Sequence, residues 1–423
     1  MNTAYLKRKI IEFISLETNV LVLSLTGFLL NFAAQTFQPF TSLYLMWLGA
    51  DISQVGLAFA FLSFAIALVT LPGGMIADRF GRKMLIVVGN FAGFLCYFLL
   101  ALIGLWQLAV IILFIQSLMS TFYQPAYTAI IAESVPEEER GNAFGTFFFI
   151  VFIGYFVGPI VGGYIYSFGG FSTILYGAGF LGVCGSLIRL VWIRETFAAK
   201  RGRTVDAIRI ERPLSRLPHL GRDLKFLTVV SSMVGFVYGV MFPYVPVFAT
   251  EVLKISRFEL GLMFSVSSFA QFMISLPAGK IIRKVGTRTL MILANIFSSA
   301  LIIPWIYSPN IFFAIWIYTL TGVFTQLFTI ANQTLTSNLT SIESRASTIG
   351  LITTLSGLVG AISPYLGGLI WTRINPQSVF FLVTAVGLLT SIPLIAIKER
   401  ILIEKHTSSR LEAYHREEKH TKV

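Results

Sequence analysis

Asp78, Arg79, Arg82 and Lys83 fall within six positions, in the stretch GGMIADRFGRKM (residues 73–84), of a chain in which only 12% of residues are charged. Such side chains can move protons, form ion pairs, or place a carboxylate against the positive end of a helix. Glu133 and Arg189 are the other charges close to the interior of an apolar segment, and no Asp or Glu lies in the middle of one. His219, His406, His415 and His420 sit in the central polar segment or the C-terminal tail, and Cys96 and Cys184 stand alone inside apolar runs. Neither a metal centre, nor a cofactor site, nor an acid–base pair for catalysis is expected from such a set, so an enzyme is not expected. What remains is uncharged hydrogen-bonding chemistry. Asn31, Gln35 and Gln38 recur at helical spacing, as do Gln116, Ser120, Tyr123 and Tyr127, and again Gly322, Gln326, Thr329, Gln333 and Thr336. Tyr238 and Tyr244, beside Pro243 and Pro246, extend the same chemistry. Amides and phenols on one helical face suit a water-filled cavity and a neutral solute.

The elements that must carry these residues follow from composition. The chain has 423 residues, 55% hydrophobic, with 39 Phe. Apolar runs near the ~20 residues needed to cross a bilayer occur at about 20–46, 53–76, 84–104, 108–132, 143–166, 172–193, 226–249, 258–281, 289–308, 311–337, 346–371 and 377–397. In hydrocarbon every backbone polar group must be paired within its own segment, so these runs are predicted to be transmembrane helices. The formal net charge is +12, and the charges alternate between loops. With the N-terminus inside, all of the 32 Lys and Arg except Lys254, Arg257 and Arg373 fall on the inner side. The positive-inside rule thus accounts for the charge without nucleic acid, and places a multi-pass protein in the cell membrane with both termini cytoplasmic. Residues 5–18 read as an interfacial helix. The basic segment 194–225, the only long polar interior stretch, divides the spans into six and six. The expected units are a six-helix bundle (1–198), a cytoplasmic linker (199–224), a second six-helix bundle (225–398) and a tail (399–423).

The two halves repeat. Leu71, Pro72, Gly74, Gly81 and Leu85 return 205 positions later as Leu276, Pro277, Gly279, Gly286 and Leu290, and Pro159, Gly162 and Gly163 return as Pro364, Gly367 and Gly368. Six spans bring the chain back to its starting side, so the repeats are parallel about an axis normal to the membrane. With this repeat, the loop formed by Gly74, Asp78, Arg79, Gly81, Arg82 and Lys83, and the stretch GYFVGPIVGG in span five (Gly154, Gly158, Pro159, Gly162 and Gly163), the sequence resembles the major facilitator superfamily of secondary transporters, in particular its exporters. The resemblance covers nearly the whole chain. An Arg usual within span four of that family is absent from QLAVIILFIQSLMSTFYQPAYTAIIAE.

The resemblance implies an all-α fold of twelve transmembrane helices in two pseudo-symmetric bundles, with spans one, four, seven and ten around a central cavity. Asn31, Gln35, Gln116, Tyr123, Tyr127, Tyr238, Tyr244, Gln326 and Gln333 are then the expected substrate-binding residues. The charged loop is expected to latch the halves on the inner side. Asp78 would meet the N-terminus of span eleven, near Ser344, while Arg82 holds Glu133 within the first half. The repeat puts Arg283 where the first half has Asp78, so a single latch is expected. The glycines of span five, every fourth residue, allow close approach to a neighbouring helix, and Pro159 bends it. With no buried carboxylate to offset a cation and no buried cation clamp for an anion, the expected partners are a neutral or lipophilic small molecule and the lipid bilayer. Coupling to a proton would have to use Asp78 or Glu133. The expectation is a monomeric exporter working by alternating access. An importer of a neutral metabolite such as a sugar also fits the polar stripes, and a non-transporting membrane sensor is the reading from another class.

Overall fold

The computed structural model describes residues 17–64, 67, 81–196, 221–340 and 345–397, and every regular element among them is helical. The first group is α1 (Thr18–Trp47, with a 3-10 turn at Gln38–Phe40), α2 (Ile52–Phe64), α3 (Arg82–Leu102), α4 (Trp106–Ser134) and α5 (Arg140–Trp192). The second is α6 (Arg222–Glu251), α7 (Arg257–Val285), α8 (Thr287–Ile306), α9 (Ile311–Leu339), α10 (Arg345–Arg373) and α11 (Pro376–Ala396). Among the described residues nine helices are long and apolar enough to cross a membrane, and α2 and the apolar part of α4, Trp106–Ser120, are shorter. Large apolar side chains stand fully outward, Phe312 at 81% exposure and Val191 at 70%. In water such a surface would aggregate, and in lipid it is the solvated face.

α5 is two limbs joined at Gly170, whose φ of 65° and ψ of −166° only glycine tolerates easily. Gly154 before the joint and Gly185 after it both pack on α1 near Leu29 to Phe32, so the chain reverses there. The described chain begins and ends at one end of the molecule, the terminus end. Its short turns at 48–51, 103–105, 252–256, 307–310 and 374–375 lie at the other, the far end. Several far-end helix starts are capped by side chains: Ser256 and Glu259 form a capping box, Asn310 accepts from the Phe313 N–H (2.9 Å), and Asn375 from that of Ser378 (2.8 Å).

The repeat read in the sequence reappears in the helix boundaries. The starts at Arg82, Trp106 and Arg140 recur 205 positions later at Thr287, Ile311 and Arg345. The left-handed Gly81 (φ 81°) recurs as Gly286 (φ 86°). The contacts between the two groups obey the same offset. A Cβ on Gly56 would lie 2.6 Å from the Pro364 carbonyl oxygen, and one on Gly261 3.0 Å from the Pro159 carbonyl carbon. A Cβ on Gly163 would meet the backbone of Arg257 (2.5 Å) and Phe258 (3.0 Å), and one on Gly368 that of Ile52 (3.2 Å) and Ser53 (3.1 Å). Four glycines thus bring α2 against α10 and α5 against α7, in two copies of one arrangement, toward the far end. The Ile160 N–H donates to Ser265 Oγ at 3.0 Å, and about two turns along the same pair of helices the Phe152 and Phe272 rings stack at 4.6 Å.

Candidate functional site

Between the two groups lies a cavity of about 750 Å³, walled by α1 to α6 and α10 together with Ala67. Among the described residues its lining holds no Asp, Glu, Lys, Arg or His. The walls differ in kind. The first group supplies Asn31, Gln35, Gln38, Asn90, Gln116 and Tyr155, whereas the second supplies mainly glycine, Phe242 and proline, with Tyr238, Thr353 and Ser356 as its hydrogen-bonding side chains. Gln35 is nearly buried and its Nε2 donates to Gln38 Oε1 at 3.0 Å. Tyr155 on α5 lines the same wall as Gln35. The amides of Asn31 and Asn90 donate to the Gly27 and Ile86 carbonyls of their own helices (3.0 and 2.7 Å), leaving each a side-chain oxygen for another partner. Phe59 and Phe242, one from each group, meet edge-on at 5.9 Å on the wall. Such a chamber offers aromatic faces and neutral hydrogen bonds but nothing to compensate a buried charge.

Of the residues singled out in the sequence, Asn31, Gln35, Gln116 and Tyr238 line this cavity. Tyr127 does not: its ring packs on Phe147 at 5.5 Å in an apolar cluster nearer the terminus end. Tyr244 is fully buried and donates to the Pro364 carbonyl at 2.6 Å, beside Gly56 in the contact between the groups. Gln326 and Gln333 lie on α9 outside the lining, because α9 sets Gly322 against Ser267 and Gln271 of α7. Tyr123 belongs to α4, and its side chain is outside the described residues. Tyr155 and Asn90 escaped the sequence reading. Tyr155 sits within the span-five glycine motif, where packing is the dominant signal, and Asn90 is a single polar residue in its run.

That motif has an identifiable partner. Cβ atoms on Gly154 and Gly158 would meet the α1 backbone at Phe32 N (2.7 Å) and Gln35 C (3.1 Å), and one on Gly162 would meet Thr36 C at 2.8 Å. The same contact seats Gln35 on the cavity wall.

Gly74, Asp78 and Arg79 lie outside the described residues, as do most of the linker and the tail. Gly81, Arg82, Lys83 and Glu133 are gathered at the terminus end, where Arg82 and Glu133 form an ion pair and Thr196 Oγ1 donates to Glu133 Oε2 at 2.8 Å. Glu195, which spacing did not single out, accepts the backbone N–H groups of Lys83 (3.0 Å) and Arg82 (3.3 Å) and so caps α3. Gly81 leaves room for it, since a Cβ there would come 3.2 Å from Glu195 Oε2. The second group inverts this polarity: Arg288 donates to the Leu394 carbonyl (3.2 Å) and to that of Ile395 at the end of α11. Glu195→Gln is expected to lower stability by about 0.5–1 kcal/mol, the lower part of the capping range because the carboxylate is exposed. Thermal melting of the purified protein checks this, and a melting curve unchanged from wild type would deny the cap any weight. Arg189, the buried cation of α5, donates from Nε to Thr26 Oγ1 at 2.8 Å and takes no part in the cavity wall.

The sequence model described as Major Facilitator Superfamily matches residues 23–256 and 227–419. The multi-drug resistance efflux pump PmrA of Streptococcus pneumoniae is 26% identical over 295 residues, 67% of this chain and 72% of PmrA. The multidrug resistance protein MdtG of Escherichia coli is 26% identical over 305 residues, 70% of this chain and 73% of MdtG. Among solved structures, a variant of the nucleoside transporter NupG superposes with a TM-score of 0.76 at 15% identity, over 90% of this chain and 100% of that one.

Proposed function

Because the chain belongs to the Major Facilitator Superfamily and is therefore a membrane transporter rather than an enzyme, we propose that it exports small neutral or lipophilic compounds by alternating access. The observation that carries this reading is the uncharged lining of the 750 Å³ cavity. A cationic or anionic solute would lose its hydration there without gaining a counter-charge, a cost of several kcal/mol. The outward direction rests on the likeness to PmrA, a multi-drug resistance efflux pump, and to MdtG, a multidrug resistance protein.

In this proposal twelve spans form two six-helix bundles, 1–198 and 225–398, joined by the linker 199–224 and followed by the tail 399–423. The two limbs of α5 count as spans five and six. The distribution of Lys and Arg supports placing the terminus end in the cytoplasm. The far-end glycine contacts then close the outer side, and the cavity belongs to the inward-facing state. In the outward-facing state Asp78 would latch the inner side against the N-terminus of α10, with Arg82 and Glu133 keeping the loop in place. Any coupling proton would have to be carried by Asp78 or Glu133, since the cavity wall offers no carboxylate. The transporter is proposed to act as a monomer.

The test is transport in proteoliposomes with a panel of a neutral lipophilic compound, a sugar, a quaternary ammonium ion and an organic anion. Export of the first alone is the expected result, and robust transport of either ion would overturn the reading. Preference for the sugar would favour the importer reading, which the amides of the first group also suit. Within this assay, Gln116→Leu and Tyr238→Phe are each expected to raise the half-saturating concentration about fivefold, as loss of one hydrogen bond worth ~1 kcal/mol would. If both leave it unchanged, this cavity is not where the substrate is held.

A further inference from the structure

Tyr238 lines a second, smaller cavity as well as the large one. It lies inside the second group, holds about 40 Å³, and is walled by α6, α8, α9 and α11. Among apolar side chains its lining carries a group of polar ones: Asn295, Ser298, Thr321, Thr325 and Thr390 all reach it. Asn295 is 6% exposed, Thr321 7% and Thr390 0%.

The protons of four of these groups, Asn295, Ser298, Thr321 and Thr390, are already committed. Ser298 donates to the Asn295 carbonyl (3.1 Å), Thr321 to that of Ile317 (3.0 Å) and Thr390 to that of Val386 (2.8 Å). Asn295 spends its amide N–H groups on the Gly387 carbonyl (2.6 Å) and Ser391 Oγ (2.9 Å). What these four residues have left for the pocket is oxygen lone pairs, while the Tyr238, Ser299 and Thr325 hydroxyls also reach it, so the walls suit an occupant that donates as well as accepts. A cavity this size exceeds the ~10–15 Å³ of probe volume that one water needs, and the walls provide more than the two to four polar partners required.

The geometry points to a water-binding site behind the cavity wall. Its water donates to two of the Thr321, Thr390 and Asn295 side-chain oxygens and gives the Tyr238 hydroxyl a partner on the side away from the large cavity. Tyr238 then keeps a hydrogen bond whether or not a solute occupies the large cavity, which lowers the cost of releasing that solute. The water follows from the pocket alone. Only the role given to Tyr238 rests on the proposed function.

Hydroxyl-radical labelling of the purified protein in lipid nanodiscs tests the site without any substrate, because radicals generated at bound water mark adjacent side chains. Met241 lines the pocket, whereas Met263 is fully buried away from it. Several-fold faster oxidation of Met241 than of Met263 is expected, with the excess lost in the near-isosteric Thr321→Val, Ser298→Ala variant while Met263 stays unchanged. Equal labelling of the two methionines, or an excess that survives in the variant, would overturn the site. Thermal melting in sodium chloride against choline chloride separates the remaining occupant: no difference is expected, and a sodium-specific rise that the variant abolishes would replace water with a monovalent cation. Failure of the transport panel with these labelling results intact would count against the substrate reading alone.

Discussion

Gly261→Val and Gly56→Val are each expected to reduce transport more than about tenfold while leaving a folded protein in the membrane. Each glycine faces backbone of the opposite group, Pro159 and Pro364 respectively, so the neighbour cannot escape by changing rotamer. A valine would clash only while the far end is closed, and parting of the groups relieves it. Overpacking of this kind costs about 1–3 kcal/mol, and every 1.4 kcal/mol moves a two-state population tenfold. The closed far end should therefore become a minor state, and a cycle that must pass through it slows accordingly. The measurement is labelling of a cysteine placed at Thr41, on the cavity wall, in a background lacking Cys96 and Cys184, with an impermeant reagent applied from the far side. Faster labelling accompanies lost transport if the clamp is real. Gly279→Val is the control, since a Cβ there meets nothing within 4 Å. Matching behaviour of all three variants would remove the glycine contacts from the gating account.

Gly162→Ala should act on the fold itself. Its added Cβ would sit 2.8 Å from Thr36 C and 2.9 Å from Thr36 Cα, within the most extensive helix pairing among the described residues, α1 against α5. Because the obstacle is main chain, relief requires the helices to separate, and that exposes packing all along the glycine face. The expected loss is about 3 kcal/mol, the upper end of overpacking costs. The comparison is Gly177→Ala, on the second limb of α5 in open space, where replacing a helical glycine should be neutral or stabilise by about 0.5–1 kcal/mol. Thermal melting of both variants in detergent decides the matter, and an unaltered melting temperature for Gly162→Ala would mean that α1 and α5 have slack which their spacing does not suggest.

Both predictions use positions visible in the chain before any fold is known, yet their partners were not visible. The glycines of span five announced a close approach by recurring every fourth residue, and the 205-residue repeat announced a second copy of whatever they do. Which backbone they approach depends on how tilted helices cross. The same motif meets α1 along one edge, through Gly154, Gly158 and Gly162, and α7 through Gly163 and Pro159.

What the sequence by itself determined is set by one-dimensional physics. Runs of apolar residues long enough for hydrocarbon must be helices, their internal repeat must give related helix boundaries, and the lack of a mid-run carboxylate leaves any chamber between them uncharged. Helical spacing also determined the angular face of each polar stripe. Tertiary structure decided depth and partner, because a stripe fixes direction about a helix axis but not where along it the cavity ends. On α4 the stripe enters the cavity at Gln116 and Ser120 and has left it by Tyr127, which packs on Phe147. On α9, packing against α7 carries Gln326 and Gln333 outside the lining, and on α6 the two tyrosines part, Tyr238 facing the cavity and Tyr244 bonded to Pro364 in the seal between the groups. Tyr155 joined Gln35 on the cavity wall and Glu195 became the cap of α3 only when limbs distant in sequence came together, since such a contact is a property of three-dimensional proximity and leaves no period along the chain.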